Sequence, residues 1–394
     1  MNNQQIFTLL LSLIGLLTAC QPSSDMKYTE GTFGYDLARL QAIEGLEVLE
    51  DGDAMIAVSG PFQARILTST AKGKTGSSYG WVNFGLIEKD THGVTMAYLG
   101  GESRMWFAPE WGPNALFFPK GVEQVSSNML APAALNNNEF KEISRKDNTL
   151  NFGGELQITN NNGYTFDLAV ERSISLLSDA AIAQALNITL SEQLAAVGFS
   201  ASTIVKNMGR DTFSRDSGLI AIWELGCMLT SPDNRVIIPL REATDSITEY
   251  FTPIAERVRI KDGVVYYKAD ALGINKIGIP PQYAKNVMGS YDPSKQLLNI
   301  VTFSFERDRF YVNSVPDNTT PYQGDVINIF NGVLDETAQI PFYEFESSSS
   351  AKELQPQQTM QHRQTTYHFE GEKAVLNEIA QQVLGVSLDE IPVF

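Results

Sequence analysis

Histidine, cysteine and tryptophan are all sparse in this chain: three, two and four among 394 residues. Two cysteines cannot build a disulfide framework or a multi-thiolate metal centre, and no Cys/His spacing of the zinc kind occurs. No metal or other cofactor is expected. Positive charge is also short. Lys and Arg number 29 against 46 Asp and Glu, a net charge of −17. Such a surface repels nucleic acid and anionic lipid head groups and suits neutral or cationic ligands. Beyond the first residues, no apolar run approaches the roughly 18 positions that a spanning helix needs. No internal repeat occurs, and the one low-complexity tract is 347–350.

What is present begins at the amino terminus. Residues 6–17 form an apolar run about as long as a signal-peptide core and too short to cross a bilayer. It ends in Leu17-Thr18-Ala19-Cys20, which resembles the lipobox of bacterial lipoproteins, in which the cysteine is acylated and the chain is cut just before it. Residues 1–5 lack the usual Lys or Arg, so an ordinary secretory signal is the alternative. Either way an exported protein is expected, and the lipobox reading anchors it to a membrane by lipid on Cys20. Gln21 in place of an acid points toward the outer membrane. With Cys20 acylated, Cys227 has no disulfide partner and reads as a small buried hydrophobe.

Helical spacing is confined to 35–43, 179–195 and 372–383, the last stopped by Gly385. Strand patterns run through 62–68, 80–87, 149–159, 164–176, 218–229, 258–268, 296–305 and 342–347. Asn160-Asn161-Asn162-Gly163 predicts a hairpin turn, and Lys261-Asp262-Gly263 splits its segment into two short strands. About a dozen strands without a βαβ rhythm predict a mainly β fold, a large antiparallel β-sandwich with a few short helices. The expected organisation is a signal peptide over 1–19, a tether over 20–30, one sandwich domain over 31–371 and a helical tail over 372–394.

Two motifs fail on context. Gly76-Ser77-Ser78-Tyr79-Gly80 matches G-x-S-x-G, but strand pattern follows it where a nucleophile elbow needs a helix. Gly73-Lys74-Thr75 resembles the end of a P-loop, yet Thr68 stands where its first glycine belongs.

Two of the three histidines fall in one alternating stretch. As a strand, 361–369 sets His362, Gln364, Thr366 and His368 on one face. Upstream, 342–346 sets Glu344 and Glu346 on one face, and the intervening chain is long enough to return beside it. Carboxylates and imidazoles meeting there would form an acid and a base for proton transfer near neutral pH. The competing reading is a pair of solvated polar faces.

A second cluster is Gly100-Gly101-Glu102-Ser103-Arg104-Met105-Trp106-Phe107-Ala108-Pro109-Glu110-Trp111-Gly112. Alternation puts Glu102, Arg104 and Trp106 together, and the turn presents Glu110 and Trp111. A ring beside a guanidinium and carboxylates is how proteins hold sugars, by stacking and by forked hydrogen bonds to hydroxyls. Core packing with a compensating Arg–Glu pair is the alternative. Lesser candidates are Asp325 with Asn328, Lys276, and Glu224, a lone acid in an apolar strand that is costly to bury unless paired, with Arg235 or Lys206 as possible partners.

Taken with segments 100–112, 205–229, 275–292, 321–331 and 342–371 in their order, these residues resemble uncharacterised bacterial lipoproteins similar to the galactose mutarotase-like (aldose 1-epimerase-like) superfamily. The resemblance implies a β-supersandwich with a carbohydrate site on one sheet. It also implies that Glu346 is the glutamate that takes the anomeric proton. The histidine such enzymes carry on a mid-chain strand is absent from 218–225. Two substitutes are open: His362 from another strand, or Glu224 paired with Glu346. Three functional readings follow. One is a sugar epimerase or glycosidase using Glu346, His362 and Glu224, with Arg104, Trp106, Glu110, Trp111, Glu344, His368 and Asp325 holding the carbohydrate. The second is a glycan-binding lipoprotein without turnover. The third is a structural envelope lipoprotein.

Overall fold

The computed structural model describes residues 27–88, 99–136, 138–245, 247–316, 318–334 and 341–394. The apolar run, Cys20 and most of the tether lie outside the described residues. Among those described, no helix is long and apolar enough to cross a membrane.

The expected mainly β, antiparallel fold is what the chain forms. One sheet has ten strands. From edge to edge they are Val258–Lys261, Val264–Lys268, Arg235–Pro239, Val287–Asp292, Leu297–Phe303, Thr359–Glu370, Ala195–Asn207, Thr165–Leu177, Thr149–Thr159 and Lys141–Lys146. The facing sheet has six: Thr248–Glu249, Leu272–Ile279, Ile327–Val333, Phe342–Ser348, Ala221–Leu229 and Arg104–Ala108. A small meander of Leu46–Asp51, Ala54–Ser59 and Arg65–Thr70 flanks them.

Period-two alternation builds these layers. Thr165–Leu177 buries Phe166, Leu168, Val170, Ile174 and Leu176 and leaves most intervening side chains at least partly exposed. It returns on Thr149–Thr159 through the expected hairpin, where Asn160 Oδ1 accepts from the amides of Asn162 at 3.1 Å and Tyr164 at 3.0 Å. Positive φ at Asp262 and Gly263 makes the expected break between Lys261 and Val264. Inward residues of the two sheets then interdigitate, Phe166 and Val170 with Phe107 and Ile222 at one end, Val236 and Val265 with Ile277 and Phe345 at the other.

Local signals decide two departures. Segment 80–87 is not a strand. Gly80 and Val82 make single bridges, and Asn83 Oδ1 accepts from the Leu86 amide at 3.3 Å as the short helix Phe84–Glu88 begins. Helical spacing over 179–195 survives only in Asp179–Leu186, because Asn187 turns to φ 54° and caps it. The carboxy-terminal helix, Lys373–Val383, lies on the outer face of the ten-stranded sheet. There Leu376, Ile379 and Ala380 pack with Leu298, Ile300, Tyr367 and Phe369.

Candidate functional site

Register across the six-stranded sheet gathers the site. Lys276 pairs with Phe330, Phe330 with Glu344, and Glu344 with Cys227, forming one row. The next row is Gly278, Asn328, Glu346, Leu225 and Arg104. Trp223 and Trp106 face each other one row further on. Strand alternation gives all these side chains the same face, the one turned away from the ten-stranded layer.

On that face the charges pair diagonally between rows. Arg104 Nη2 donates to Glu344 Oε1 at 2.7 Å, and the Cys227 thiol donates to the same oxygen at 3.0 Å. Lys276 Nζ lies 2.8 Å from Glu346 Oε2 and 3.6 Å from Glu110 Oε2. Trp223 Nε1 also donates to Glu346 Oε2, at 2.9 Å. The Lys276 ammonium sits 4.6 Å from the Trp223 ring centre and 5.2 Å from that of Tyr250, a cation–π cage. Tyr250 and Thr248 donate to the two oxygens of Asp325. A Cβ at Gly278 would run into that carboxylate, so the close approach requires glycine there.

Burial sets the electrostatics. Glu346 is 1% exposed, and desolvation raises its carboxyl to about 7 although Lys276 pulls the other way. Glu110 is raised by the same cause, and Asp325 to about 6. Burial works against the charge on Lys276, but Glu346 and Glu110 outweigh it and hold the ammonium above its ordinary range. Lys276 is therefore a fixed cation. Glu346 Oε1 and Glu110 Oε2 make no hydrogen bond within the protein. The face thus presents a carboxyl that titrates near neutral pH, an ammonium and a guanidinium, with acceptor oxygens to spare.

Several residues that the sequence singles out lie elsewhere, and the reason is strand parity. His362, expected to meet Glu346, points between the layers instead. There Nδ1 meets Ser304 Oγ at 2.9 Å and Nε2 meets Ser347 Oγ at 2.8 Å. Ser347 follows Glu346 in the strand and so faces the opposite way. Burial drops His362 to about 3, leaving it neutral. His368 is also between the layers, bonded to Glu102 Oε2 at 2.8 Å and Asn299 Oδ1 at 2.6 Å, with Tyr79 stacked on its ring. Glu102 does not share a face with Arg104, because positive φ at Gly100 and Gly101 precedes it and its side chain reaches inward. Glu224 is parity-opposed to Trp223 and crosses the interior to Arg172, with Thr203 and Ser103 completing the cluster. Arg172 is its partner, not Arg235 or Lys206.

Trp106 and Trp111 are not presented to solvent. Trp106 shares the face of Glu346, yet Arg104 covers its ring at 4.0 Å, Phe117 packs at 5.2 Å and its Nε1 donates to the Leu135 carbonyl at 3.2 Å. Trp111 packs on Phe118. The chain from Pro109 to Asn136 thereby covers this end of the face, and Ser314 ties it down by accepting from the Glu110 amide at 3.1 Å. A cleft of about 870 Å³ lies elsewhere, lined by Ile43, Phe62, Phe140, Phe152 and others but by none of the residues above. Cys227 is buried as expected, against Phe330 and Phe342, but its thiol also serves Glu344. Sequence pattern gives Lys276 little weight and does not single out Trp223 or Arg172. The available signal is an isolated charge in an apolar strand for Lys276, and for Arg172 a charge at an inward position of an alternating strand.

Fold and face together define a two-layer antiparallel β-sandwich with buried acid–base groups on the outer side of its smaller sheet. The chain belongs to the family described as "Family of unknown function (DUF6786)", whose model matches residues 31–394. Among curated proteins, none matches the chain. Among solved structures it is similar to the Slr1438 protein from Synechocystis sp. PCC 6803, at 11% identity over 83% of this chain and 96% of that one, with a TM-score of 0.50. A galactose mutarotase-like protein from Lactobacillus casei matches at 10% identity over 82% and 100% of the two chains, TM-score 0.48. A galactose mutarotase related enzyme from Lactobacillus acidophilus matches at 10% identity over 88% and 100%, TM-score 0.42. At 11% identity the likeness to the Slr1438 protein speaks to fold, not chemistry.

Proposed function

We propose that this chain is an exported, lipid-anchored, carbohydrate-active protein that performs acid–base chemistry on a sugar at the Glu346 face. The observation that carries this reading is Glu346 itself. One of its oxygens is held by Lys276 and Trp223, the other is unbonded, and the carboxyl titrates at about 7. A base poised near the working pH is what proton abstraction from an anomeric hydroxyl requires. Lys276 takes the place of the absent mid-chain histidine, as a permanent ammonium that steadies charge developing on a sugar oxygen rather than as a titrating acid. Arg104, held by Glu344, is a second donor. His362 and Glu224 have no part in this scheme.

The test is interconversion of aldohexose anomers, followed by exchange NMR with full-length protein. Glu346→Gln should lower the rate by about 10²–10⁴, the usual contribution of a positioned base. Turnover should also fall as pH drops below about 7, because the base must be ionised. Undiminished turnover in Glu346→Gln would exclude this site. The burial of Trp106 and the absence of an imidazole among the described residues of this face favour a second reading, glycan binding without turnover. Saturable sugar binding with no anomer exchange in the wild type would select it.

A further inference from the structure

Resting on the reading of the Glu346 face as a sugar site, we infer that its preferred ligand carries a free amino group: an amino sugar in its ammonium form, ahead of a neutral hexose, a sugar phosphate or a uronate. The charge on the face comes first. Glu110, Glu344, Glu346 and Asp325 stand around Arg104 and Lys276, with Arg65 lying behind Gly100, to whose carbonyl it donates at 2.7 Å. Cys227 and Tyr250 also line the face and stay protonated, because burial raises both. Carboxylates therefore outnumber cations. Both cations on the face are already engaged, Arg104 by Glu344 at 2.7 Å and Lys276 by Glu346 at 2.8 Å.

The unbonded atoms agree. Glu346 Oε1, on a residue 1% exposed, is an acceptor without a hydrogen bond in the protein, and Glu110 Oε2, on a residue 6% exposed, has only the longer ion-pair contact to Lys276 Nζ at 3.6 Å. Around this face the donors without a hydrogen bond include Arg104 Nε, Arg65 Nε and Trp111 Nε1, each a single N–H on a separate side chain and none a fork of the kind a phosphate or carboxylate takes. An ammonium carries three donors and no acceptor, the complement of what is spare.

Without ligand, protons offset the excess negative charge, since burial raises Glu346, Asp325 and Glu110 together. An arriving ammonium displaces one of them, so binding should release protons. Calorimetric titration of the full-length protein with glucosamine, glucose, glucuronate and a glucose phosphate ester tests this, in buffers of different ionisation heat just below pH 7. Glucosamine should bind about tenfold more tightly than glucose and with proton release, and both anions more weakly than glucose. Glu110→Gln should narrow the ratio of glucosamine to glucose affinity. Glucose matching glucosamine, or either anion binding tightest, overturns this inference and leaves the sugar site standing. No binding by any of the four overturns both.

Discussion

Glu346 and Ser347 are adjacent in sequence and live in different environments, one among charges on the outer face, the other against His362 between the layers. The same parity decides His362. Its folded value of about 3 lies below the ordinary 6.5. In the window between those values the unfolded chain binds the proton and the folded chain does not. Stability is therefore lost as pH falls through that window and is full above it. His362→Gln should flatten the acid limb of a urea-denaturation series recorded against pH. An unchanged limb would mean that the imidazole is charged where it lies. Glu346 works in the opposite sense, since its raised carboxyl makes the fold less stable as pH rises from 4.5 towards about 7. At this scale the sequence is only partly legible. Glu344 and Glu346 are correctly set on one face, because alternation within one strand is local. Which layer a histidine faces depends on the partner strand and cannot be read from spacing.

Two strands carry charge into the interior. Thr165–Leu177 keeps a strict apolar register at Phe166, Leu168, Val170, Ile174 and Leu176, with Arg172 in the middle of it. Ala221–Leu229 carries Glu224 in the same manner, and the two meet between the sheets with both side chains fully buried. Such a strut adds little over a well-packed apolar pair, but breaking one side of it leaves a buried charge without its partner. Arg172→Met should cost about 3–5 kcal/mol in chemical denaturation, and pairing it with Glu224→Leu should restore much of that loss. A double variant no more stable than the single one would contradict the strut. Strands marked by clean alternation or by an Asn/Gly or Asp/Gly turn are legible, as 149–176 and 258–268 illustrate. The short strand Arg235–Pro239 is not, since its apolar run Val236-Ile237-Ile238 gives no period to detect. At 80–87, an Asn cap outweighs the strand pattern.

For the whole molecule, the two-layer arrangement sets function apart from support. One side of the larger sheet is closed by the carboxy-terminal helix and the inner faces form the core, while the face proposed for chemistry is the outer side of the smaller sheet. The Leu-Thr-Ala-Cys segment puts this body, as we propose, on a lipid tether outside the cytoplasm. Cys20→Ser should move the protein from the membrane to the soluble fraction on cell fractionation. A wild-type protein already soluble, with an unmodified Cys20 by mass spectrometry, would rule the anchor out. Sugar is proposed to bind where Glu346 meets Lys276 and Trp223. Tryptophan fluorescence of the full-length protein during monosaccharide titration tests it most directly, because Trp223 donates to Glu346. A saturable change is expected that disappears in Trp223→Phe and weakens in Glu346→Gln. A flat trace with every sugar, or a response that survives Trp223→Phe unaltered, would contradict the claim.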